Sequence, residues 1–340
     1  MKNIVTIGGG TGSFVLLSGL KRHPVNLSAI VSMADDGGST GVLRDELGVL
    51  PPGDIRQCLV ALSDSSDEMR QLMNYRFERG ALKGHSFGNL LLGALEKING
   101  GFLAGLKEAV KILNVKGEVI PVTADAVNLI LDLKDGSTIK GEAAINRSSV
   151  LERIGIKRLY LRPRAHANAH AIKKIKEADI IIIGPGNFYC SIIPNLLVDG
   201  IADAIRISKA TVIFNCNLVN KNGHTERFTL DDYVDVINGY LGGNRIDFVT
   251  FNGKKPAKML VQKYGRKREF LVPFTKEDRA ERSYKVIVTD LLSAASQKYA
   301  KADLLAKYRA FIRHDVEKLA KIIMFISEIE ENKDIIEKII

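Results

Sequence analysis

The sequence predicts an α/β protein: a Rossmann-like, mostly parallel sheet with helices on both faces, a β-rich insertion and a helical C-terminus. Short apolar runs alternate with stretches of helical periodicity, as in chains that build parallel sheets. The run at 180–183 is made of isoleucine alone, which is typical of a strand buried on both faces. Several of these runs end in glycine-rich loops, which is where open sheets of this class bind ligands.

The head of the chain predicts a βαβ unit. "KNIVTI" and "NLSAIVSM" are two apolar runs, and "SFVLLSGLKR" between them places Phe14, Leu17 and Leu20 on one helix face. Two further helices are expected in "PPGDIRQCLVALSD" and "GHSFGNLLLGALEKI". Ser86 stands at the start of the second one and is a candidate N-cap.

Alternation replaces helical periodicity at about residues 115–162, which predicts a β-rich insertion with a hairpin at the Asp-Gly of "DLKDGSTI". Beyond it, α/β alternation returns, and from about Asp290 the chain is charged and helical in pattern. We therefore expect a nucleotide-binding core at residues 1–300, including the insertion, and a helical segment at 301–340 packed on that core.

Composition narrows the class of ligand. The 340 residues carry a formal net charge of +10, which is spread along the chain, and there is no tryptophan. Because no aromatic ladder accompanies the basic residues, nucleic acid is a poor candidate, and anionic small molecules are favoured. Three scattered cysteines indicate a reducing cytoplasm rather than a disulfide framework. No apolar run is long enough to cross a bilayer.

The first candidate site is the loop "GGGTG", which follows the first strand and opens a helix. Glycine lets a ligand approach backbone N–H groups, and a helix N-terminus attracts phosphate. The spacing is neither the dinucleotide GxGxxG, since Ser13 replaces its last glycine, nor a P-loop. A tight turn that needs glycine only for packing is the alternative. The residues predicted to cradle phosphate are Gly8, Gly9, Gly10, Thr11 and Gly12.

The second candidate site is the pair Asp35 and Asp36, just after the second strand. An acid at this place holds ribose hydroxyls in dinucleotide folds, and two adjacent carboxylates could instead hold Mg²⁺ against a phosphate. The alternative is a solvated acidic loop, with a surface pair between Asp54 and Arg56.

The third candidate site follows the isoleucine strand, where Gly184, Gly186 and Asn187 precede a new helix. Since loops at the carboxyl ends of parallel strands gather near the topological switch point, all three loops are expected to line one crevice. His85 lies in a glycine-rich helix entry, where it could contact phosphate or act in acid–base chemistry; a capping role is the alternative.

The combination of "GGGTG", "ADDGGSTGVLRDELGVLPPGDIRQCLVAL", "HSFGNLLL" and "GPGNFYCSIIPNLLVDGI" resembles the gluconeogenesis factor family of bacteria, which is similar to 2-phospho-L-lactate transferase. The resemblance runs in order to "FIRHDVEKLA" and implies a nucleotide-binding Rossmann-like core. It implies a UDP-sugar ligand, chiefly UDP-N-acetylglucosamine, with no established catalysis. It also implies a role in growth on non-sugar carbon, cell shape and peptidoglycan synthesis.

The resemblance implies two further ligand residues, Tyr264 of "VQKYGRK" and Arg313 of "RHD". It implies partners among nucleotide-sugars and cell-wall or metabolic regulatory proteins, and a homo-oligomer is expected. The chain departs from the family pattern at Asn187 and Cys190, and in "VNKNGHT" where "MTQPGET" is usual. A Mg²⁺-dependent transferase that moves a phospholactyl group to a deazaflavin and an NAD-type dinucleotide-binding protein are the alternative functions.

Overall fold

The computed structural model describes residues 1–274, 282–294 and 312–332. Within them, seven strands form one sheet in which every neighbouring pair is parallel. The strands are β1 (Lys2–Gly8), β2 (Val25–Val31), β3 (Glu118–Pro121), β7 (Ile180–Ile183), β8 (Thr211–Asn215), β9 (Phe248–Asn252) and β10 (Lys285–Thr289). Their order across the sheet is β10-β9-β8-β7-β1-β2-β3. The predicted α/β class with a mostly parallel sheet is confirmed.

The insertion holds a small antiparallel sheet of order β5-β4-β6, built from β4 (Asn128–Leu133), β5 (Thr138–Lys140) and β6 (Ile156–Arg162). The predicted hairpin joins β4 to β5, with Gly136 at a φ of +90° in its turn. The expected β-rich stretch 115–162 needs two corrections. Its first strand, β3, belongs to the main sheet, and two helices, α7 (Glu142–Arg147) and α8 (Leu151–Ile154), lie between β5 and β6.

The other helices of the described residues lie between strands of the main sheet in the chain, except for the last one, which follows β10. They are α1 (Gly10–Leu20), α2 (Gly38–Leu47), α3 (Pro52–Leu62), α4 (Asp67–Asn74), α5 (Phe87–Ile98), α6 (Phe102–Ile112), α9 (Ala169–Glu177), α10 (Ile193–Leu196), α11 (Ile201–Ile207), α12 (Leu230–Leu241), α13 (Lys258–Gly265) and α14 (Val316–Glu331). A π-helical turn, Phe188–Ile192, precedes α10. No helix among the described residues is long and apolar enough to cross a membrane.

The predicted C-terminal helical segment contains the helix α14. Residues 291–294 and 312–315 are not helical, and α14 follows Asp315, whose carboxylate caps it by accepting the N–H groups of Glu317 and Lys318. Part of the expected helical stretch, 295–311 and 333–340, lies outside the described residues. The helix packs on α1, where Gly19 lets the two backbones approach.

The core lies on both faces of the central strands. All four isoleucines of β7 are 2% exposed or less, and burial of each contributes about 1.5–3 kcal/mol. This packing holds β1, β2, β7 and β8 in fixed directions. It therefore also fixes the positions at which the loops after their carboxyl ends begin. The candidate residues of the first three sites lie on or beside the loops after β1, β2 and β7, whereas Tyr264 lies in α13 and Arg313 precedes α14.

Candidate functional site

The site is centred on the switch point of the sheet, because β1 pairs with β2 on one side and with β7 on the other. The loops after β1 and β7 are in direct contact there. A Cβ built on Gly12 would lie 1.9 Å from the carbonyl oxygen of Pro185 and 3.0 Å from the nitrogen of Gly186. We call the space bordered by residues 8–12, 35–41 and 184–187 the crevice.

The first loop opens α1 without any side-chain cap. Gly9 is the N-cap residue, and Gly10 follows at a φ of +63°, which favours glycine. A Cβ on Gly9 would lie 2.1 Å from Oδ2 of Asp54, so a side chain at this position would displace that carboxylate, whereas Gly12 faces backbone atoms. Gly10, Thr11 and Gly12 remain partly exposed. The loop therefore combines tight packing with a partly exposed helix N-terminus beside the Asp54 carboxylate, and N–H groups at such a terminus favour an anion.

The two aspartates of the second loop face different elements. Oδ1 of Asp35 accepts the N–H of Gly37 over 2.9 Å, and its other oxygen points to Gly53 at the start of α3. Oδ1 of Asp36 instead accepts the N–H of Ala143 over 2.7 Å, in the first turn of α7. Burial raises the pKa of Asp35, and the neighbouring charge of Asp36 adds to the effect. Asp36 thus ties the second loop to the insertion.

Helix α7 lies across the crevice, a feature that sequence reasoning missed. Burial, together with the charges of Asp35, Asp54 and Asp36, raises the pKa of Glu142 to about 8. These four carboxylates crowd one region, and crowding of like charge favours either a proton or a cation among them. No group of three His, Cys, Asp or Glu side chains within the described ranges has the spacing of a complete metal site.

The third loop is held from both sides. Asn215 and Asn217, at the end of β8, donate to the carbonyls of Gly184 (3.1 Å) and Gly186 (2.9 Å). On the other side, Asn187 donates to Oδ1 of Asn146 at the end of α7, over 2.8 Å. Helix α7 therefore touches the second loop with its first turn and the third loop with its last.

Lys221 also reaches this contact, since its Nζ donates to the carbonyl of Asn146 over 2.6 Å. It lies in "VNKNGHT", a segment in which the sequence departs from the family pattern. That departure is the one feature of the sequence that could have pointed to Lys221.

Tyr264 and Arg313 are brought together at the carboxyl end of β8. The Tyr264 hydroxyl accepts the N–H of Ile312 over 3.1 Å, and the ring packs against Leu218. Leu218 adjoins Asn217, which contacts Gly186 in the third loop. Arg313 is half-buried, while Tyr264 is only 7% exposed. The geometry gives Tyr264 the position of a support for the Arg313 segment, next to the crevice.

The entry to α5 differs from expectation. Ser86 occupies the N-cap position, but its side chain makes no cap and donates instead to the carbonyl of Met73. The preceding residue, His85, pairs through Nδ1 with Oγ of Ser39 at 3.2 Å. Arg56 is not on the surface, as the pairing alternative required. It is 6% exposed, with its guanidinium bonded to Asn89 and other groups.

Comparison with known proteins shows which protein family this chain resembles. The sequence profile of 2-phospho-L-lactate transferase CofD matches residues 4–292. The gluconeogenesis factor of Halalkalibacterium halodurans is 42% identical over 269 residues, 78% of this chain and 82% of that protein. The gluconeogenesis factor of Bacillus subtilis is 38% identical over 323 residues, 94% of this chain and 96% of that protein.

A solved structure supports the same grouping. The crystal structure of a member of the UPF0052 family from Bacillus halodurans has a TM-score of 0.86 and 36% identity, over 95% of this chain and 98% of that one. The chain therefore belongs to the gluconeogenesis factor family, within the CofD group of proteins.

Proposed function

We propose that this protein binds a nucleotide-sugar, UDP-N-acetylglucosamine in particular, in the crevice. The observation that carries the proposal is the contact of the first and third loops at the switch point, where Gly12 lies against Pro185. Open parallel sheets bind nucleotides at this place, and the N-termini of α1 and α2 both open on the loops that border it. A diphosphate is the group that such a cluster of backbone donors suits best.

Each candidate residue has a role in this proposal. Gly8, Gly9, Gly10, Thr11 and Gly12 receive the diphosphate on their backbone, and Gly184, Gly186 and Asn187 close the opposite side. Arg313 contacts the uridine diphosphate part, and Tyr264 keeps the Arg313 segment in place through its bond to Ile312. The sugar then extends along the loop that follows β8.

Asp35 and Asp36 fit a Mg²⁺ ion only as part of a mixed set of ligands. One oxygen of each carboxylate accepts a backbone N–H, and Asp35 also accepts the Thr40 hydroxyl, so an ion would share these oxygens with the hydrogen bonds. Mg²⁺ is usually bound by one or two carboxylates, with phosphate and water completing the shell. The crowding of Asp35, Asp36, Asp54 and Glu142 favours such an ion, because a cation would relieve the repulsion between those carboxylates that are charged. If no ion binds, Asp35 is the residue expected to hold ribose.

Calorimetric titration against UDP-N-acetylglucosamine, UDP-glucose, GDP and NAD, each with and without Mg²⁺, tests the proposal. We expect UDP-sugars to bind and the other nucleotides to bind more weakly or not at all. A protein that binds NAD in preference to every UDP-sugar would support the dinucleotide alternative instead.

A transferase activity is the second candidate, favoured by the match to the CofD profile and by the carboxylates at the crevice. Incubation with lactyl-phosphoguanosine and the deazaflavin acceptor, in Mg²⁺, tests it. Formation of the phospholactyl product would show an enzyme. In its absence, the protein acts as a cytoplasmic binding factor that links nucleotide-sugar supply to cell shape and peptidoglycan synthesis through protein partners. A homo-oligomer remains an expectation, which light scattering would test.

A further inference from the structure

We propose that His85 donates a hydrogen bond from Nε2 to a phosphate oxygen of the bound nucleotide-sugar, and that Ser39 fixes the ring in the tautomer this requires. The identity of the ligand in this inference rests on the proposed function. The assignment of the tautomer depends only on the hydrogen bonds around the His85 ring.

The network starts at Arg56, whose guanidinium can only donate. Its Nε lies 2.9 Å from Oδ1 of Asn89, and its Nη1 donates to the carbonyl of Met73 and to Oδ1 of Asn74. The bond to Arg56 sets the orientation of the Asn89 amide, because the oxygen must face the guanidinium. The Nδ2 group of Asn89 therefore faces Oγ of Ser39, at 3.3 Å.

Ser39 receives a second donor, the backbone N–H of Ser86, at 3.4 Å. A hydroxyl has two acceptor sites and one hydrogen. Since two N–H groups use the acceptor sites of Ser39, its hydrogen points to the remaining neighbour, Nδ1 of His85, at 3.2 Å. Nδ1 then accepts, and the neutral imidazole carries its hydrogen on Nε2.

The Nε2 atom of His85 faces solvent. The ring is half-buried, yet none of the hydrogen bonds among the described residues uses Nε2. Within the same residues, Nε2 is not one of the fully buried side-chain atoms that lack a partner, so it reaches solvent. Ser39 lies in the first turn of α2, beside Thr40, whose hydroxyl borders Asp35 at the crevice. An N–H donor held in one orientation beside the crevice suits an anionic oxygen.

Two amide substitutions separate the ring nitrogens, because glutamine places its amide near Nε2 and asparagine near Nδ1. We expect His85→Ala to weaken UDP-N-acetylglucosamine binding by about tenfold to hundredfold. His85→Gln should recover most of this loss, whereas His85→Asn should not. Uridine, which has no phosphate, should bind the three variants alike. Equal affinity of His85→Gln and His85→Asn would overturn the inference.

The tautomer is measured without any ligand, from the ¹⁵N shifts of the His85 ring. The expected spectrum shows a protonated Nε2 in the unmodified protein and in Ser39→Thr, and a mixture of tautomers in Ser39→Ala. A ring protonated on Nδ1 would overturn the inference. If the unmodified protein binds no UDP-sugar, the proposed function fails and the ligand half of this inference fails with it, while the spectrum still decides the role of Ser39.

Discussion

Replacing Gly12 with alanine tests the contact between the first and third loops. An ordinary Cβ contact lies at 3.4–4 Å, whereas the new Cβ would lie 1.9 Å from the Pro185 oxygen, so the loops must separate by about 1.5 Å. The opposing atoms are backbone and have no rotamer by which to escape. Overpacking of this kind costs about 1–3 kcal/mol. We expect Gly12→Ala to lower the free energy of unfolding by that amount and to weaken UDP-sugar binding.

Gly239→Ala is the matched control. Gly239 also lies inside a helix, α12, but no atom is within 4 Å of its built Cβ. Alanine there should raise the free energy of unfolding by about 0.5–1 kcal/mol through helix propensity alone. Urea unfolding of both variants, followed by circular dichroism, gives the comparison. If Gly12→Ala is as stable as the unmodified protein, or more stable, the two loops are not in contact and the crevice is wrong as described.

Further substitutions test the remaining parts of the site. The folded pKa of Glu142, about 8, lies above its ordinary 4.5. Stability should therefore fall as pH rises through this window, and Glu142→Gln should be more stable than the unmodified protein near the upper end, by about 1 kcal/mol or more in urea unfolding with EDTA. Asp36→Ala should cost about 1–3 kcal/mol of unfolding free energy, because it removes the acceptor of the Ala143 N–H in the first turn of α7, and an unchanged midpoint would refute that role. Tyr264→Phe leaves the N–H of Ile312 without its acceptor and should cost about 1–3 kcal/mol in the same assay. Arg313→Ala should weaken UDP-sugar binding by roughly 1.5–3 kcal/mol in calorimetry, and unchanged affinity would remove Arg313 from the site.

Local signals in the sequence were sufficient for most of the fold. The strand β7 could be predicted because an unbroken isoleucine run admits few other readings, and α1 because its apolar residues repeat with helical spacing. Glycine before α1 and after β7 marked the ends of those strands. The contact between the first and third loops could also be predicted, because the loops after parallel strands begin at one edge of the sheet.

The remaining features depend on contacts that no local pattern records. The stretch before α7 alternates like a strand, and nothing in it shows that Glu142 lies beside Asp35 and Asp54. The burial of Arg56 depends on Asn89, 33 positions along the chain. The sequence pattern places β3 in the insertion, but its pairing with β2, far away in sequence, makes it part of the main sheet. No local pattern shows that pairing.

The most direct test of the crevice is a crystal structure of the protein with UDP-N-acetylglucosamine. The account predicts diphosphate oxygens within about 3 Å of the backbone N–H groups of residues 9–12 and of Gly186. A ligand bound elsewhere would contradict the account, for example one in the cavity of about 430 Å³ that Arg70 and Tyr75 line beside α4.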